Sequence, residues 1–200
     1  MSDHAWLAAY FVRYREALTP PGLFEQLSAL KELLEATQAA GRKVIFAGNG
    51  GSAAMASHCA VDFTKTAGIR SVNFNEADLI TCFANDYGYE RWLEKALEAY
   101  ADPGDCAILI SSSGRSKNMV HAARQTVSQG LAVVTFTGFA PDNPLRALGQ
   151  LNYWADSRVY NIVEMAHHLW LLAVCDLLAA GRVVREPGAV AAARRPVPVS

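Results

Sequence analysis

The stretch 43-KVIFAGNGGS-52 decides the fold, because a short apolar run ends in a glycine-rich turn that leads into a helix. Residues 43–47 lack the polar alternation of a half-exposed strand, which predicts a strand buried on both faces. The stretch 106-CAILISSSGRS-116 repeats this pattern with a serine-rich turn. Two such strands, each followed by a helix, predict a parallel sheet that helices cover on both sides.

Outside these two stretches, the hydrophobic pattern alternates between helical and strand-like segments. Further strands are predicted at residues 71–74, 131–136 and 151–154, and helices at 5–18, 23–40, 52–65, 76–84, 89–101, 117–129 and 161–180. Residues 1–184 form one predicted domain. The remaining segment, 185–200, has Pro, Ala and Arg but no periodicity, and we expect it to be disordered.

Composition excludes several classes of function. The chain has 200 residues, of which 52% are apolar and 18% charged, and its formal net charge is −1. Without a basic field, non-specific nucleic-acid binding is not expected as a main function. We expect no membrane span, since no apolar run reaches about 18–20 residues, and the N-terminal segment does not resemble a signal peptide. Four scattered cysteines, without a disulfide spacing, predict reduced thiols and a cytoplasmic protein.

The two polar turns predict an anion site. Ligands of such sheets bind outside the carboxyl ends of the strands, where both turns lie. In the first turn, Asn49, Gly50, Gly51 and Ser52 lead into a helix whose free N–H groups attract anions. In the second, Ser111, Ser112, Ser113 and Ser116 offer hydroxyls and Arg115 a charge. Taken singly, the turns are equally typical of a capped strand–helix junction and a solvated linker.

Two pairs of ionisable residues share the helical i,i+4 spacing. His58 and Asp62 follow the first turn, and Glu164 and His168 lie in the last helix. Such pairs can bind a divalent metal, for which zinc suits His and carboxylate ligands, or supply an acid and a base. Ordinary ion pairs or buried core histidines explain the same spacing.

The order of four motifs resembles a known family. AGNGGSAAMASHCAVDFTK, FANDYGYE, ISSSGRSKNMV and VVTFTG are similar to the SIS (sugar isomerase) domain, and most of all to the phosphoheptose isomerases, which act on sedoheptulose 7-phosphate. The resemblance covers about residues 30–180. It implies a flavodoxin-like three-layer α/β/α sandwich with a five-stranded parallel sheet, and a homotetramer whose subunits share active sites.

The resemblance also implies roles for individual residues. Serines 111, 113 and 116 match phosphate-binding positions, with Ser112 between them, and Asn49, Ser52 and Asp86 match positions that contact the sugar. His58 and His168 match zinc ligands, and Asp62 stands where the family has a catalytic Glu. The family's Gln corresponds to Tyr160, so Glu164 is the predicted substitute, and His167 stays open as an alternative to His168.

Together these matches predict an isomerase with one zinc ion per subunit. Asp62 would be the general base, and His168 would move a proton between two sugar oxygens. Two alternatives remain open: a non-catalytic SIS scaffold that binds a protein partner, and an SIS isomerase for another sugar phosphate.

Overall fold

The computed structural model describes residues 1–185, so the predicted tail lies, apart from its first residue, outside the described residues. These residues form seven α-helices and five strands. The helices are α1 (Asp3–Leu18), α2 (Leu23–Ala39), α3 (Gly51–Asp62), α4 (Ala77–Tyr87), α5 (Trp92–Tyr100), α6 (Lys117–Ser128) and α7 (Tyr160–Arg185). The strands are β1 (Val44–Gly48), β2 (Ser71–Asn73), β3 (Cys106–Ser111), β4 (Ala132–Gly138) and β5 (Leu151–Ala155).

The five strands form one parallel sheet in the order β2-β1-β3-β4-β5. This is the flavodoxin-like order, and the prediction of a five-stranded α/β/α sandwich is confirmed. The chain reverses its direction of winding between β1 and β3. At such a switch point the loops diverge and leave a crevice, so the fold opens a ligand position between the two predicted turns.

Helices cover both faces of the sheet. Alternate residues of β1 point into different layers: Val44 and Phe46 pack with α2, α3 and α7, whereas Ile45 and Ala47 pack with α5 and α6. The residues of β1 and β3 are buried throughout, which explains why these strands are apolar without alternation. The predicted helix over residues 52–65 is a shorter α-helix followed by a π-helical turn at Phe63–Ala67.

The segment Tyr160–Arg182 of α7 is long and apolar enough to cross a membrane, by length and composition alone. Half of that segment is buried inside the fold, as in the core helix of a globular domain. It packs on the sheet and on α1, where Tyr14 Oη donates a hydrogen bond to Asn161 O (3.0 Å) and Trp170 Nε1 donates one to Leu18 O (2.9 Å). Composition alone is weak evidence for a span here.

Candidate functional site

The glycine-rich and serine-rich turns lie side by side at the carboxyl ends of β1 and β3. Gly48 and Ile110, the residues before the turns, are paired in the sheet. A cavity of about 120 Å³ opens between the turns. It is lined by Asn49, Ser52, Ile110, Ser111, Ser112, Ser113, Ser116, Tyr160 and Glu164, and we call it the serine cavity. The structure thus brings together most of the residues that the sequence predicted to bind an anion.

Hydrogen bonds within the second turn leave several hydroxyls available. Ser111 Oγ donates to Ser116 Oγ (3.3 Å), and Ser113 Oγ accepts from the Arg115 N–H (3.2 Å). Ser116 is the N-cap residue of α6, yet its side chain makes no capping bond. The buried Ser112 Oγ has no hydrogen-bond partner among residues 1–185. A buried hydroxyl without a partner is costly, so a ligand oxygen that accepts from it would remove that cost.

The Asn49 side chain is held from two directions. Its Nδ2 donates to Asn118 Oδ1 (2.9 Å), and its Oδ1 accepts from Asn118 Nδ2 (2.8 Å) and from Tyr89 Oη (3.2 Å). Sequence reasoning missed both partners. The available signal was positional: Asn118 stands at the start of α6, two residues after Ser116, and Tyr89 stands in the FANDYGYE motif.

Glu164 lies at the serine cavity rather than with the histidines. A Cβ atom on Gly51 would overlap the Glu164 carboxylate, so a larger residue at position 51 would displace the carboxylate from this position. Burial raises the pKa of Glu164 above its ordinary value. Tyr160, which stands where the resemblance places a Gln, borders the same cavity.

The other three predicted metal ligands form a separate hydrogen-bonded group, which we call the histidine cluster. His58 Nδ1 lies 2.9 Å from His168 Nε2, and His58 Nε2 lies 3.1 Å from Asp62 Oδ2. Burial, and then the neighbouring His58, lower the pKa of His168, while Asp62 raises it. His168 lines an apolar groove beside α1, and none of the three borders the serine cavity.

The two neighbouring histidines of α7 lie in different environments. His167 is fully buried, its Nε2 lies 2.9 Å from Thr137 O, and burial lowers its pKa to about 4. It is therefore a neutral core residue at ordinary pH. His168, one residue later and about 100° around the helix, reaches His58. The geometry favours His168 over His167 as the reactive residue.

The donor types of the histidine cluster suit zinc, and zinc binding there stays a prediction. Asp62 contacts the ring nitrogen of His58 that faces away from His168. In this arrangement the carboxylate can orient the imidazole of His58. No group of three or more His, Cys, Asp or Glu side chains within residues 1–185 is arranged to hold a metal ion. The predicted fourth ligand, Glu164, is at the serine cavity.

Asp86 is exposed on α4 and does not line the serine cavity. Its carboxylate accepts from Asn85 Nδ2 (2.9 Å). The loop after α4 approaches the site instead: Tyr89 contacts Asn49, and Lys117 at the start of α6 donates to the Glu90 carboxylate (2.7 Å). The predicted sugar contact of Asp86 stays a prediction.

A flavodoxin-like sheet with a hydroxyl-lined cavity at its switch point is the architecture of a SIS domain. The family profile described as "SIS domain" matches residues 20–138, more than half of the chain. In solved structures, the chain is similar to a phosphoheptose isomerase from Francisella tularensis, with a TM-score of 0.82 and 21% identity over 89% of this chain and 98% of that one. This likeness concerns the fold alone.

Relatives in sequence indicate the group of SIS-domain proteins to which the chain belongs. A phosphoheptose isomerase of Mycobacterium tuberculosis is 34% identical over 167 residues, which are 77% of this chain and 81% of that protein. One of Fusobacterium nucleatum is 40% identical over 103 residues, 49% of this chain and 53% of that protein. The chain spans a little over half the length of three of the curated relatives it matches, 52–59%. The chain belongs to the SIS-domain phosphoheptose isomerase family.

Proposed function

We propose that this protein is a sugar-phosphate isomerase that converts sedoheptulose 7-phosphate to D-glycero-D-manno-heptose 7-phosphate. The observation that carries the proposal is the serine cavity, in which hydroxyls from two turns converge at the switch point of the sheet. Relatives named phosphoheptose isomerase suggest the sugar. The cavity supports the binding of a phosphate group, whereas the identity of the sugar is inferred from the relatives.

Neutral donors would hold the phosphate. The Ser111–Ser116 turn and Ser52 supply hydroxyls, and the N-termini of α3 and α6 add partial positive charge. The negative charge of an ionised Glu164 would repel a phosphate dianion bound in the serine cavity. Its raised pKa eases protonation, which would reduce the repulsion, and its oxygens can accept hydrogen bonds from sugar hydroxyls.

The reaction moves two protons along an open-chain sugar. A base removes a proton from C1, next to the C2 carbonyl, and an enediolate forms. A proton is then returned to C2, and another moves from O1 to O2, so that C1 becomes the aldehyde. We propose Asp62 as the base and His168 as the proton carrier between the oxygens. The Asp62–His58–His168 hydrogen bonds support this because they hold the imidazoles in place and in reach of one another.

In an active site shared between chains, the serine cavity of one copy would lie next to the histidine cluster of a neighbouring copy. Within a single chain the two line different cavities, so a neighbouring copy is the simplest source of the second half. Large apolar side chains stand exposed on the helices beside the histidine cluster, among them Trp6 and Phe11 of α1 and Leu169 of α7. Such surface suits an interface between copies, and we propose the homotetramer of the family.

Zinc stays a prediction. If bound, it would supply positive charge to stabilise the enediolate, and the candidate ligands are the two imidazoles of the histidine cluster. A cytoplasmic location also stays a prediction. It is supported by four free cysteines, three of them buried.

The proposal is tested by incubating the purified protein with sedoheptulose 7-phosphate and following the sugar by proton NMR. We expect the aldose signal to appear, and Asp62→Ala to abolish it while the far-ultraviolet circular dichroism stays unchanged. Metal analysis of the same sample tests zinc. No product from the unchanged protein would refute the proposed reaction, and equal turnover by Asp62→Ala would refute the role of Asp62.

The separation of the histidine cluster from the serine cavity favours a second candidate, a non-catalytic SIS scaffold that binds a protein. Such a scaffold would not turn over sedoheptulose 7-phosphate or any other phosphosugar, whether or not it binds one. A panel of pentose, hexose and amino-sugar phosphates in the same assay separates the scaffold from an isomerase with a different substrate.

A further inference from the structure

Asn118 joins the two turns of the site. Only 3% of its surface is exposed, and its amide forms a reciprocal pair with the amide of Asn49. Asn49 lies in the turn after β1, and Asn118 lies in the first turn of α6, directly after the serine-rich turn. The pair therefore connects the two walls of the serine cavity.

The hydrogen bonds of the Asn49 amide use only part of its donor and acceptor capacity. A primary amide has two N–H donors and one oxygen with two acceptor positions. Both acceptor positions of Asn49 Oδ1 are used, by Asn118 Nδ2 and by Tyr89 Oη. One N–H of Asn49 is used on Asn118 Oδ1. The second N–H has no partner among the described residues, and Asn49 borders the serine cavity.

We infer that Asn118 is a positioning residue for the ligand in the serine cavity. It holds the Asn49 amide so that the free N–H donates to a phosphate oxygen of the bound phosphosugar, and it keeps the two turns at a fixed spacing. Asn118 does not line the cavity itself, so its effect on the ligand passes through Asn49. This inference rests on the proposed function.

Without Asn118, the Asn49 amide would lose two of its three hydrogen bonds and turn more freely. The ligand would then have to order it on binding, and the affinity would fall. The chemistry is remote from this contact, so KM should rise while kcat changes little. We expect Asn118→Ala to weaken the binding of inorganic phosphate by about 10-fold, the ratio that a free energy of roughly 1.4 kcal/mol gives.

A double-mutant cycle separates positioning from mere structural support. Calorimetry would measure inorganic phosphate binding to the unchanged protein, Asn49→Ala, Asn118→Ala and the double variant. Because Asn118 acts through Asn49, we expect the double variant to bind no more weakly than Asn49→Ala. Thr126→Ala is the matched control, since Thr126 is a buried polar residue at the other end of α6 and its hydroxyl donates a hydrogen bond to Ala122 O of the same helix.

The outcomes are distinct. If Asn118→Ala binds phosphate as the unchanged protein does, or if its effect adds fully to that of Asn49→Ala, the inference is overturned while the proposed function stands. If the unchanged protein binds no phosphate, both are overturned. Should Asn118→Ala not fold, Tyr89→Phe removes the other hydrogen bond to Asn49 from an exposed position, and the same cycle applies.

Discussion

The serine-rich turn depends on glycine at position 114, and replacing it tests the proposed site. Gly114 has φ +62°, where an L-residue costs about 1–2 kcal/mol. A Cβ atom there would be 1.9 Å from Asn143 Oδ1. Asn143 is buried, its Nδ2 donates to Ala140 O (2.9 Å) and its Oδ1 accepts from the Arg146 N–H (3.0 Å), so it cannot simply rotate away. The turn itself must move by about 1 Å in Gly114→Ala.

A displacement of about 1 Å at a binding turn can cost about 100-fold in rate. We therefore expect kcat/KM of Gly114→Ala for sedoheptulose 7-phosphate to fall about 100-fold, in the NMR assay described above. The backbone strain alone should lower the melting temperature by roughly 2–8 °C, since 1 kcal/mol corresponds to about 2–4 °C in a domain of this size.

Gly130→Ala provides the matched control. Gly130 also has a left-handed φ, +72°, but a Cβ atom there would meet nothing within 4 Å. It follows α6, at the far end from the serine-rich turn. We expect a similar strain penalty and unchanged kcat/KM. Equal activity of the two variants would refute the claim that the geometry of the serine-rich turn sets substrate binding.

Three further predictions concern single groups. Ser112→Ala removes a buried hydroxyl that has no partner within residues 1–185, so the melting temperature of the ligand-free protein should stay equal or rise. The increase in melting temperature that inorganic phosphate causes should shrink, and an unchanged increase would contradict a contact between Ser112 and the ligand. Glu164→Gln removes a negative charge from the serine cavity, and calorimetry at pH 8 should show phosphate binding roughly 3- to 30-fold tighter; weaker binding would contradict the repulsion. Arg91 donates to both carboxylate oxygens of Glu94 (2.6 and 3.0 Å) and holds the pKa of that carboxyl below its usual range. This stabilisation is present above the unfolded pKa of about 4.3 and is lost as the pH falls through the folded value. Arg91→Gln should therefore lower the urea midpoint more at pH 7 than at pH 3, and an equal loss at both would contradict it.

The fold could be predicted from the sequence because its strongest signals are local. Strands β1 and β3 are apolar at every position because both faces are buried, and the polar turns follow directly. The strand order was not accessible from these patterns, since nothing local in Cys106–Ser111 indicates that β1 is its neighbour. The resemblance to SIS domains implied a flavodoxin-like sandwich with a five-stranded parallel sheet, and the observed sheet confirms that architecture.

The site was only partly predictable because spacing within a helix does not say what the helix faces. The i,i+4 spacing grouped Glu164 with His168, yet their side chains border different cavities. Asn118 was overlooked because an amide at the start of a helix is usually a surface residue. Its partner lies 69 residues away in the chain, and only the parallel pairing of β1 and β3 brings the two turns together.

The central claim is that a phosphosugar binds with its phosphate between the turns after β1 and β3. A crystal structure of the protein with sedoheptulose 7-phosphate tests it most directly. The account predicts the phosphate oxygens within hydrogen-bond distance of the Ser111–Ser116 hydroxyls and the Asn49 amide, with the carbon chain extending towards a histidine cluster. A bound sugar whose phosphate lies elsewhere, with the serine cavity holding only solvent, would contradict it.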